Sequence, residues 1–322
     1  MKNKIILLAS DPNSINSEII SKTWKKISPS IKKQIYLIAN YDLINSQFKK
    51  IKTRAPIIKI KSFNDRLFSK KLKIMDIPLK FSNPYKVPIT SAKKYISSSF
   101  KLAHKLALNK NVKGIINCPL DKKLLHKTKN IGVTELLSLK CNILNGSEVM
   151  LIYNKKLSVV PITTHIDIRN VSKKLKYTLI VNKMRTLKTN YKKIFNINPK
   201  IGVLGLNPHN AEFSKKSEEI RIIQPAIKKL KKEGFKIDGP LSADTFFVNK
   251  YKKYDVVVGM YHDQVLAPFK SMFQFDAINI TLGLKYIRVS PDHGPAKDIV
   301  AKNKGDHLSL LKCINFINKL KR

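Results

Sequence analysis

Short apolar runs rich in Ile and Val alternate with longer amphipathic segments along the chain. Runs of this length predict strands, and the segments between them repeat apolar residues at helical spacing. This alternation is typical of βα units around a largely parallel sheet, so the sequence predicts the α/β fold class. The predicted strands are Lys4–Ala9, Gln34–Ala39, Ile57–Ile60, Val112–Asn117, Val149–Tyr153, Ile201–Leu206, Asp255–Met260, Ala277–Leu282 and Tyr286–Val289.

The clearest helical pattern follows the strand predicted at 201–206. Glu218 and Glu219 would occupy its first turn, where acidic side chains favour the helix dipole. Pro225 should kink this helix and Gly234 should end it. Its apolar face would consist of Ile220, Ile223, Ile227 and Leu230.

The charge of the chain bears on its partners, because 63 Lys and Arg residues against 21 Asp and Glu give a formal net charge of +42. A nucleic-acid-binding protein would explain such a charge. Only seven of the basic residues are Arg, however, whereas proteins that read bases and phosphates rely on Arg and on stacking aromatic residues. The composition therefore favours a solvated, lysine-rich surface over a nucleic-acid interface.

Length and cysteine pattern narrow the class of protein further. The 322 residues are about twice a usual domain of roughly 150 residues, which predicts two domains or one large α/β domain. The cysteines, Cys118, Cys141 and Cys313, form no CxxC pair, and this favours a reducing cytoplasm over a disulfide or zinc-ribbon protein. No segment reaches the roughly 18 apolar residues of a membrane helix. We expect a soluble, cytoplasmic protein without membrane contacts.

Three histidines, His165, His209 and His262, follow strand-like segments. Strand ends carry the functional site in open α/β sheets, and three imidazoles can bind Zn²⁺ or a similar ion while leaving a position open for substrate. Asp244 and Asp263 are candidate carboxylates around such an ion. The histidines are far apart in the sequence, so the alternative remains that each is a loop residue bonded to nearby backbone.

A further histidine, His293, lies in the polar segment Ser290–Asp298 ahead of a predicted helix. Backbone N–H groups in such a segment can bind a phosphate or an adenine edge, and an ordinary loop is the alternative. Gly202 and Gly205 are wrongly spaced for GxGxxG, so the residues alone do not predict NAD. The remaining histidines, His104, His126 and His307, are assigned to surface or hydrogen-bonded positions.

Several motifs that cover nearly the whole chain are more specific together than any one of them. They are Cys118-Pro119-Leu120-Asp121-Lys122, Thr134-Glu135, Asn207-Pro208-His209, Gly239–Thr245, Met260-Tyr261-His262-Asp263-Gln264, Asn279–Leu284 and Asp292-His293-Gly294. In this order they resemble the 4-hydroxythreonine-4-phosphate dehydrogenase family of vitamin B6 biosynthesis.

The resemblance implies a fold like that of isocitrate and isopropylmalate dehydrogenases, with two α/β/α domains and a cleft between them. Residues 1–130 and 270–322 would form the first domain, which carries both termini and the NAD-binding loop. Residues 131–269 would form the second, with the metal-site histidines and the dimer contacts. It also implies a homodimer in which each active site is completed across the interface.

The resemblance also assigns roles by position. His165, His209 and His262 match ligands of a divalent metal (Zn, Mg or Co), and the partner subunit would supply the last of them. Lys270 and Asp244 match catalytic positions. Substrate contacts would come from Val133, Thr134, Lys270, Asn279 and Arg288. NAD or NADP would bind at Leu282, Gly283, Asp292, His293, Gly294, Ala296 and Asp298.

The implied reaction is the oxidation by NAD of the C3 hydroxyl of 4-phosphooxy-L-threonine, with decarboxylation to 3-amino-2-oxopropyl phosphate, in pyridoxine 5'-phosphate biosynthesis. A metal ion suits this chemistry because it lowers the pKa of a bound hydroxyl and polarises the new carbonyl. Lys270 and Arg288 suit a small substrate that carries a carboxylate and a phosphate.

Three departures from the family pattern keep alternatives open. Val133 stands where the family has His, Ser10–Glu18 lacks the family's glycines, and Asn210–Phe213 replaces a glycine-rich stretch. One alternative is a sister dehydrogenase of the same fold that acts on a 4-phosphothreonate or a phosphoerythronate. A basic nucleic-acid-binding protein is a remoter alternative, because all three histidines of the implied metal site are retained.

Overall fold

The computed structural model describes residues 3–53, 55–63, 70–125, 132–143 and 145–320. The chain divides into two compact units, Met1–Val133 with Lys285–Arg322, and Thr134–Leu284. In chain order the described strands are β1 (Lys4–Leu8), β2 (Ile35–Ala39), β3 (Ile57–Ile60), β4 (Leu72–Asp76), β5 (Val112–Asn117), β6 (Val149–Tyr153), β7 (Ser158–Pro161), β8 (Ile201–Leu204), β9 (Ile237–Leu241), β10 (Val256–Gly259), β11 (Ile278–Leu282) and β12 (Arg288–Pro291). The described helices are α1 (Asn16–Lys26), α2 (Pro29–Lys32), α3 (Tyr41–Lys50), α4 (Ile89–Ala107), α5 (Val133–Lys140), α6 (Val171–Lys174), α7 (Tyr177–Phe195), α8 (Gln224–Lys232), α9 (Ala243–Phe246), α10 (His262–Phe273) and α11 (Leu308–Lys319).

In the first unit the strands follow the order β3-β4-β2-β1-β5-β12, and each neighbouring pair is parallel. All five residues of β2 are buried, which explains why its sequence is a continuous apolar run rather than an alternating one. The carboxyl ends of β1, β5 and β12 lead into Asp11, Cys118 and Asp292. Because these strands are adjacent and parallel, the three loops leave the same edge of the sheet.

In the second unit the order is β11-β6-β7-β10-β8-β9. The strands from β7 to β9 are parallel neighbours, whereas β11, β6 and β7 pair antiparallel. The core under this sheet includes the fully buried Val159, Phe246, Val257 and Phe269. His165, His209 and His262 follow β7, β8 and β10, which lie side by side, so the three loops again share one edge.

The structure confirms the α/β class, and each predicted strand is present with bounds that agree within two residues. Three strands of the structure were not predicted from the sequence. They are β4, which contains Lys73 at 3% exposure, β7, which is short and ends in proline, and β9, which contains Gly239-Pro240. Polar, glycine and proline residues break the apolar pattern that predicts a strand.

The predicted helix after β8 is also present, and its irregularity is explained by Pro225. A π-helical turn, Glu219–Ile223, precedes α8, and Pro225 follows in the first turn of α8, where its missing N–H is tolerated. Gly234 ends the helix with φ +73°, a conformation that favours glycine.

The structure moves one boundary of the expected domains. Residues 270–284 belong to the second unit, whereas the sequence analysis assigned them to the first. The cause is β11, which pairs antiparallel with β6 along its whole length, from Ile278 opposite Tyr153 to Leu282 opposite Val149. Across the described ranges, no helix combines the length and the apolar character needed to cross a bilayer.

Candidate active site

His165 and His262 come together at the carboxyl edge of the second sheet. The strands that precede them are parallel neighbours, with Pro161 of β7 opposite Gly259 of β10. The two imidazole ring centres are 5.6 Å apart, and the ring planes are tilted by 43°. The side chains are 26% and 32% exposed, so the pair is accessible from solvent.

Each of the three candidate ligands has a carboxylate near its Nδ1 atom. Nδ1 of His262 lies 2.8 Å from Oδ1 of Asp263, within hydrogen-bonding distance. Nδ1 of His165 lies 3.9 Å from Oε1 of Glu135, and that oxygen also accepts a hydrogen bond of 3.1 Å from Thr164. A carboxylate at Nδ1 holds an imidazole ring so that Nε2 can face a metal ion.

The third histidine, His209, stands apart from this pair in a left-handed turn. Residues 209–213 all have φ between 47° and 56°, although none is glycine. Its side chain is 68% exposed, and Nδ1 lies 3.9 Å from Oδ2 of Asp244, which is itself 53% exposed. The resemblance implies a glycine-rich stretch in this segment, and Asn210–Phe213 stand there in this chain.

Glu219 anchors the chain just before that turn. Its side chain is fully buried and accepts hydrogen bonds from the backbone N–H groups of Leu206 (2.7 Å) and Asn207 (2.8 Å) and from the amide of Asn207 (3.0 Å). Burial opposes the ionisation of this carboxyl, but the hydrogen bonds from Asn207 and Leu206 outweigh it and lower the pKa of Glu219. Glu219 therefore fixes the backbone at Leu206 and Asn207, just before the turn that carries the exposed His209.

The chemistry of this donor set fits a divalent metal ion. Imidazole nitrogens are ligands that Zn²⁺ and Co²⁺ accept, and the neighbouring carboxylates supply the outer contacts that such ligands usually make. In the part of the chain that the structure describes, no three His, Cys, Asp or Glu side chains converge on one point. One chain thus brings two of the ligands together and leaves His209 apart.

Most of the expected substrate residues lie on α5, α10 and β11. Thr134 is buried beside β11, with its hydroxyl 3.2 Å from that of Thr281. Val133, the first residue of α5, is half-buried. Within the described residues, Oδ1 of Asn279 is buried and accepts no hydrogen bond, and such an atom calls for a ligand or a water.

Lys270 lies on the same helix as His262 but eight residues further along, a rise of about 12 Å at 1.5 Å per residue. Its ammonium lies 5.1 Å from the centre of the Phe275 ring. The structure therefore places Lys270 and His262 on different turns of α10.

The remaining predicted residues belong mostly to the first unit. Arg288 on β12 is buried, and its Nε donates a 2.7 Å hydrogen bond to Asn117. In the expected nucleotide loop, the N–H of Asp292 donates to the Ser309 hydroxyl at 3.1 Å, and His293 Nδ1 lies 2.9 Å from the Gly294 carbonyl. A side chain at Gly294 would meet nothing within 4 Å, so its backbone is open to a ligand.

The end of this loop is tied by charge to the loop that follows β5. Lys297 forms a 2.5 Å ion pair with Asp121, whose N–H donates to Asp11. The pKa of Lys297 is raised by its hydrogen bond to Asp121. The other expected cofactor residues are Ala296, which has φ 46°, exposed Asp298, buried Leu282 and Gly283, which has φ +95°.

Sequence reasoning missed the role of Glu135 beside His165 and of Gln264 two residues after His262. Both residues belong to motifs that carry the family resemblance, Thr134-Glu135 and Met260–Gln264. Only the packing of strands that are distant in the sequence shows what they contact. His104, assigned to a surface or hydrogen-bonded position, lies 2.9 Å from the Tyr286 hydroxyl. His126 lies outside the described residues.

Comparison with known proteins relates the whole chain to one family. The sequence profile described as "Pyridoxal phosphate biosynthetic protein PdxA" matches residues 30–317. The chain is 35% identical over 328 residues to 4-hydroxythreonine-4-phosphate dehydrogenase of Sulfurihydrogenibium sp., with 99% of this chain and 98% of the relative covered. It is 36% identical over 226 residues to D-threonate 4-phosphate dehydrogenase of Salmonella typhimurium, with 68% of each chain covered.

Solved structures agree with the sequence comparison. The 4-hydroxythreonine-4-phosphate dehydrogenase of Klebsiella pneumoniae superimposes with a TM-score of 0.82 at 30% identity, and 98% of each chain is covered. Isocitrate dehydrogenase of Methylococcus capsulatus gives a TM-score of 0.51 at 11% identity, with 98% of this chain and 84% of that chain covered. The second likeness concerns the fold alone and confirms the expected isocitrate dehydrogenase-like fold.

Proposed function

Because the chain belongs to the pyridoxal phosphate biosynthetic protein PdxA family, we propose that it is an NAD-dependent and metal-dependent 4-hydroxythreonine-4-phosphate dehydrogenase. Its substrate is 4-phosphooxy-L-threonine, and the products are 3-amino-2-oxopropyl phosphate, CO₂ and NADH. The observation that carries the proposal is the similarity over 99% of the chain to a dehydrogenase of this name.

In this proposal His165, His209 and His262 hold a divalent ion, and residues 292–298 with Leu282 and Gly283 hold NAD or NADP. When bound, the ion supplies Lewis-acid polarisation of the substrate oxygen and the nicotinamide supplies a hydride acceptor. Asp263 accepts the Nδ1 proton of His262 and so keeps the Nε2 lone pair available. Asp244 and Glu135 lie 3.9 Å from Nδ1 of His209 and His165, so they favour these rings by charge rather than by a hydrogen bond.

The other side chains bind and orient the substrate. The buried Oδ1 of Asn279 accepts a hydrogen bond from the substrate's amine or hydroxyl, and the hydroxyl of Thr134 lies on the neighbouring helix. The Lys270 ammonium and the Arg288 guanidinium bind its negative groups, for which a planar guanidinium is well suited. Lys270 can also move a proton at its Nζ atom, as a general acid or base.

A homodimer is part of the proposal. The described residues of one chain gather two imidazoles but no third ligand, and a site with two protein ligands binds an ion weakly. A second copy of the chain can supply the missing ligand across a two-fold interface. The resemblance implies that His262 crosses the interface, whereas the His165–His262 pair within one chain leaves His209 as the ligand to be supplied. Subunit exchange between His165→Ala and His262→Ala proteins distinguishes the two arrangements.

The direct test is NADH formation by purified protein with 4-phosphooxy-L-threonine, in the presence of added Zn²⁺, Mg²⁺ or Co²⁺ and after treatment with a chelator. We expect turnover that the chelator abolishes and the metal restores. Metal-independent turnover, or none under any of these conditions, would refute the proposal.

A second substrate is supported by two observations. One is the similarity to a D-threonate 4-phosphate dehydrogenase over 68% of the chain. The other is Val133, which the resemblance matches to a His of the family pattern. The same assay with D-threonate 4-phosphate and with a phosphoerythronate therefore decides between the two substrates. A kcat/KM for one of them at least tenfold above that for 4-phosphooxy-L-threonine would assign the alternative.

A further inference from the structure

The side-chain amide of Gln264 bridges two of the strand ends that carry the histidines. Its Oε1 accepts a 2.7 Å hydrogen bond from the N–H of Met260, the residue after β10. Its Nε2 donates a 2.6 Å hydrogen bond to the carbonyl of Gly205, the residue after β8. His262 follows Met260 by two residues and His209 follows Gly205 by four.

The third strand end joins the same network through Thr163. Both the hydroxyl and the N–H of Thr163 donate to the Met260 carbonyl, at 2.7 Å and 3.1 Å. Thr163 is buried and precedes His165 by two residues. A continuous hydrogen-bonded chain therefore runs from Gly205 through Gln264 and Met260 to Thr163, across the ends of β8, β10 and β7.

The backbone around the amide is closely packed. A Cβ atom on Gly259 would come within 2.9 Å of Oε1 of Gln264 and within 2.6 Å of Val265, and one on Gly205 would come within 2.0 Å of Oδ1 of Asn210. Glycine at 259 and 205 therefore lets the strand ends approach closely, and the two hydrogen bonds of the half-buried Gln264 amide link them across that approach.

We propose that Gln264 is a positioning residue that sets the relative places of the histidine-bearing loops, with Thr163 extending its effect to His165. The inference rests on the proposed metal function of these histidines. An amide is required because the site needs one acceptor and one donor at the same time. A carboxylate cannot donate to the Gly205 carbonyl, and a leucine of similar size can make neither bond. Ligands must be held within about 0.5 Å of the productive geometry, so losing the bridge should loosen the site.

The test uses Co²⁺ alone as the probe, added to the full-length protein. Binding is measured by calorimetry, and the ligand-field absorption spectrum reports the coordination of the ion. Gln264→Leu and Gln264→Glu should bind Co²⁺ about tenfold or more weakly and show an altered spectrum. Gln224→Leu is the matched control, because Gln224 is also a half-buried glutamine in the first turn of a helix, and it should match the wild type.

Wild-type affinity and spectrum in a folded Gln264→Leu protein would overturn the inference. If that variant does not fold, Thr163→Val is tested instead. It removes the hydrogen bond from the Thr163 hydroxyl to the Met260 carbonyl and keeps the shape of the side chain. A several-fold weaker affinity with a changed spectrum is then expected, and unchanged binding would overturn the inference. A wild-type protein that binds no Co²⁺ would instead refute the proposed metal site, and the inference with it.

Discussion

The imidazole rings of His165 and His262 face each other at a centre-to-centre distance of 5.6 Å, although 96 residues separate them in the chain. Adjacent parallel strands bring them together. Asp263 lies within hydrogen-bonding distance of Nδ1 of His262, and Glu135 lies 3.9 Å from Nδ1 of His165. If both rings bind one metal ion, they would be two of the three protein ligands of a catalytic zinc site. The first predictions follow from this pair.

Replacement of one ring should weaken metal binding without unfolding the protein. His165→Ala is expected to bind Zn²⁺ at least about 100-fold more weakly, because one of the protein ligands is lost. Calorimetric titration measures this affinity, and the thermal midpoint reports the fold. His307→Ala, which changes a half-buried histidine at the start of α11, serves as control and should bind like the wild type. Equal affinities in the two variants would contradict the assignment.

The origin of the third ligand can be tested by mixing subunits. If His165 and His262 of different chains share one site, inactive His165→Ala and His262→Ala proteins should regain activity after subunit exchange. In a random mixture half of the dimers are heterodimers. Each heterodimer has one site with both histidines intact and one site with neither, so about a quarter of wild-type activity is expected. No recovery after verified exchange would mean that both ligands of a site come from one chain, as their 5.6 Å separation within one chain allows.

The left-handed conformation of residues 209–213 should destabilise the protein, and a glycine in this turn should make it more stable. Glu212 is exposed and has φ 47°, a conformation that costs about 1–2 kcal/mol for a residue with a Cβ atom. Glycine avoids this cost but loses more backbone entropy on folding. The net effect of Glu212→Gly should be a free energy of unfolding that is higher by about 1 kcal/mol. Urea unfolding measures the change. Glu212→Ala is the control, since it removes the carboxylate but keeps the Cβ atom, and equal stability of the two variants would contradict the strain.

Lys73 should make stability depend on alkaline pH. It is 3% exposed on β4, its ammonium donates to the Lys33 carbonyl, and burial together with the charge of Lys4 lowers its pKa to about 8. Between pH 8 and the ordinary value of 10.5, the unfolded chain keeps a proton that the folded chain has lost, so stability rises with pH in this window. Below pH 8 the cost of the buried charge is constant.

The free energy of unfolding is measured for the wild type and for Lys73→Met at each pH. Both proteins contain the other lysines, so the effect of their titration cancels in the difference. The free energy of unfolding of Lys73→Met minus that of the wild type should fall by up to about 3 kcal/mol as the pH rises from 8 to 10.5. Lys94→Met, at an exposed position of α4, should show no such change. A difference that is independent of pH would show that Lys73 has an ordinary pKa.

Val133 should control the choice of substrate. A histidine at this half-buried first position of α5 can give the substrate a hydrogen bond, which is worth about 1.5–3 kcal/mol to a charged group. Val133→His is therefore expected to raise kcat/KM for 4-phosphooxy-L-threonine about tenfold or more. Val133→Leu, which stays apolar, should not. If Val133→His lowers kcat/KM instead, a neighbouring residue already supplies the contact.

Local sequence patterns determined much of this protein. Apolar runs located strands such as β2 and β6 almost to the residue, because burial on both faces requires a continuous apolar segment. The spacing around Pro225 and Gly234 located an irregular helix and its end. The strand-end context marked His165, His209 and His262 as one group before any contact was known.

Tertiary structure decided which of these residues meet. Strand order placed β7 beside β10, and this pairing, between segments far apart in the sequence, brought His165 to His262 and left His209 in an exposed turn. It also gave Glu135 and Gln264 their partners and buried the Lys73 ammonium against the Lys33 carbonyl. Periodicity reports which face of an element is buried, but hydrogen bonds near 3 Å depend on the packing of elements against one another, which no local pattern encodes.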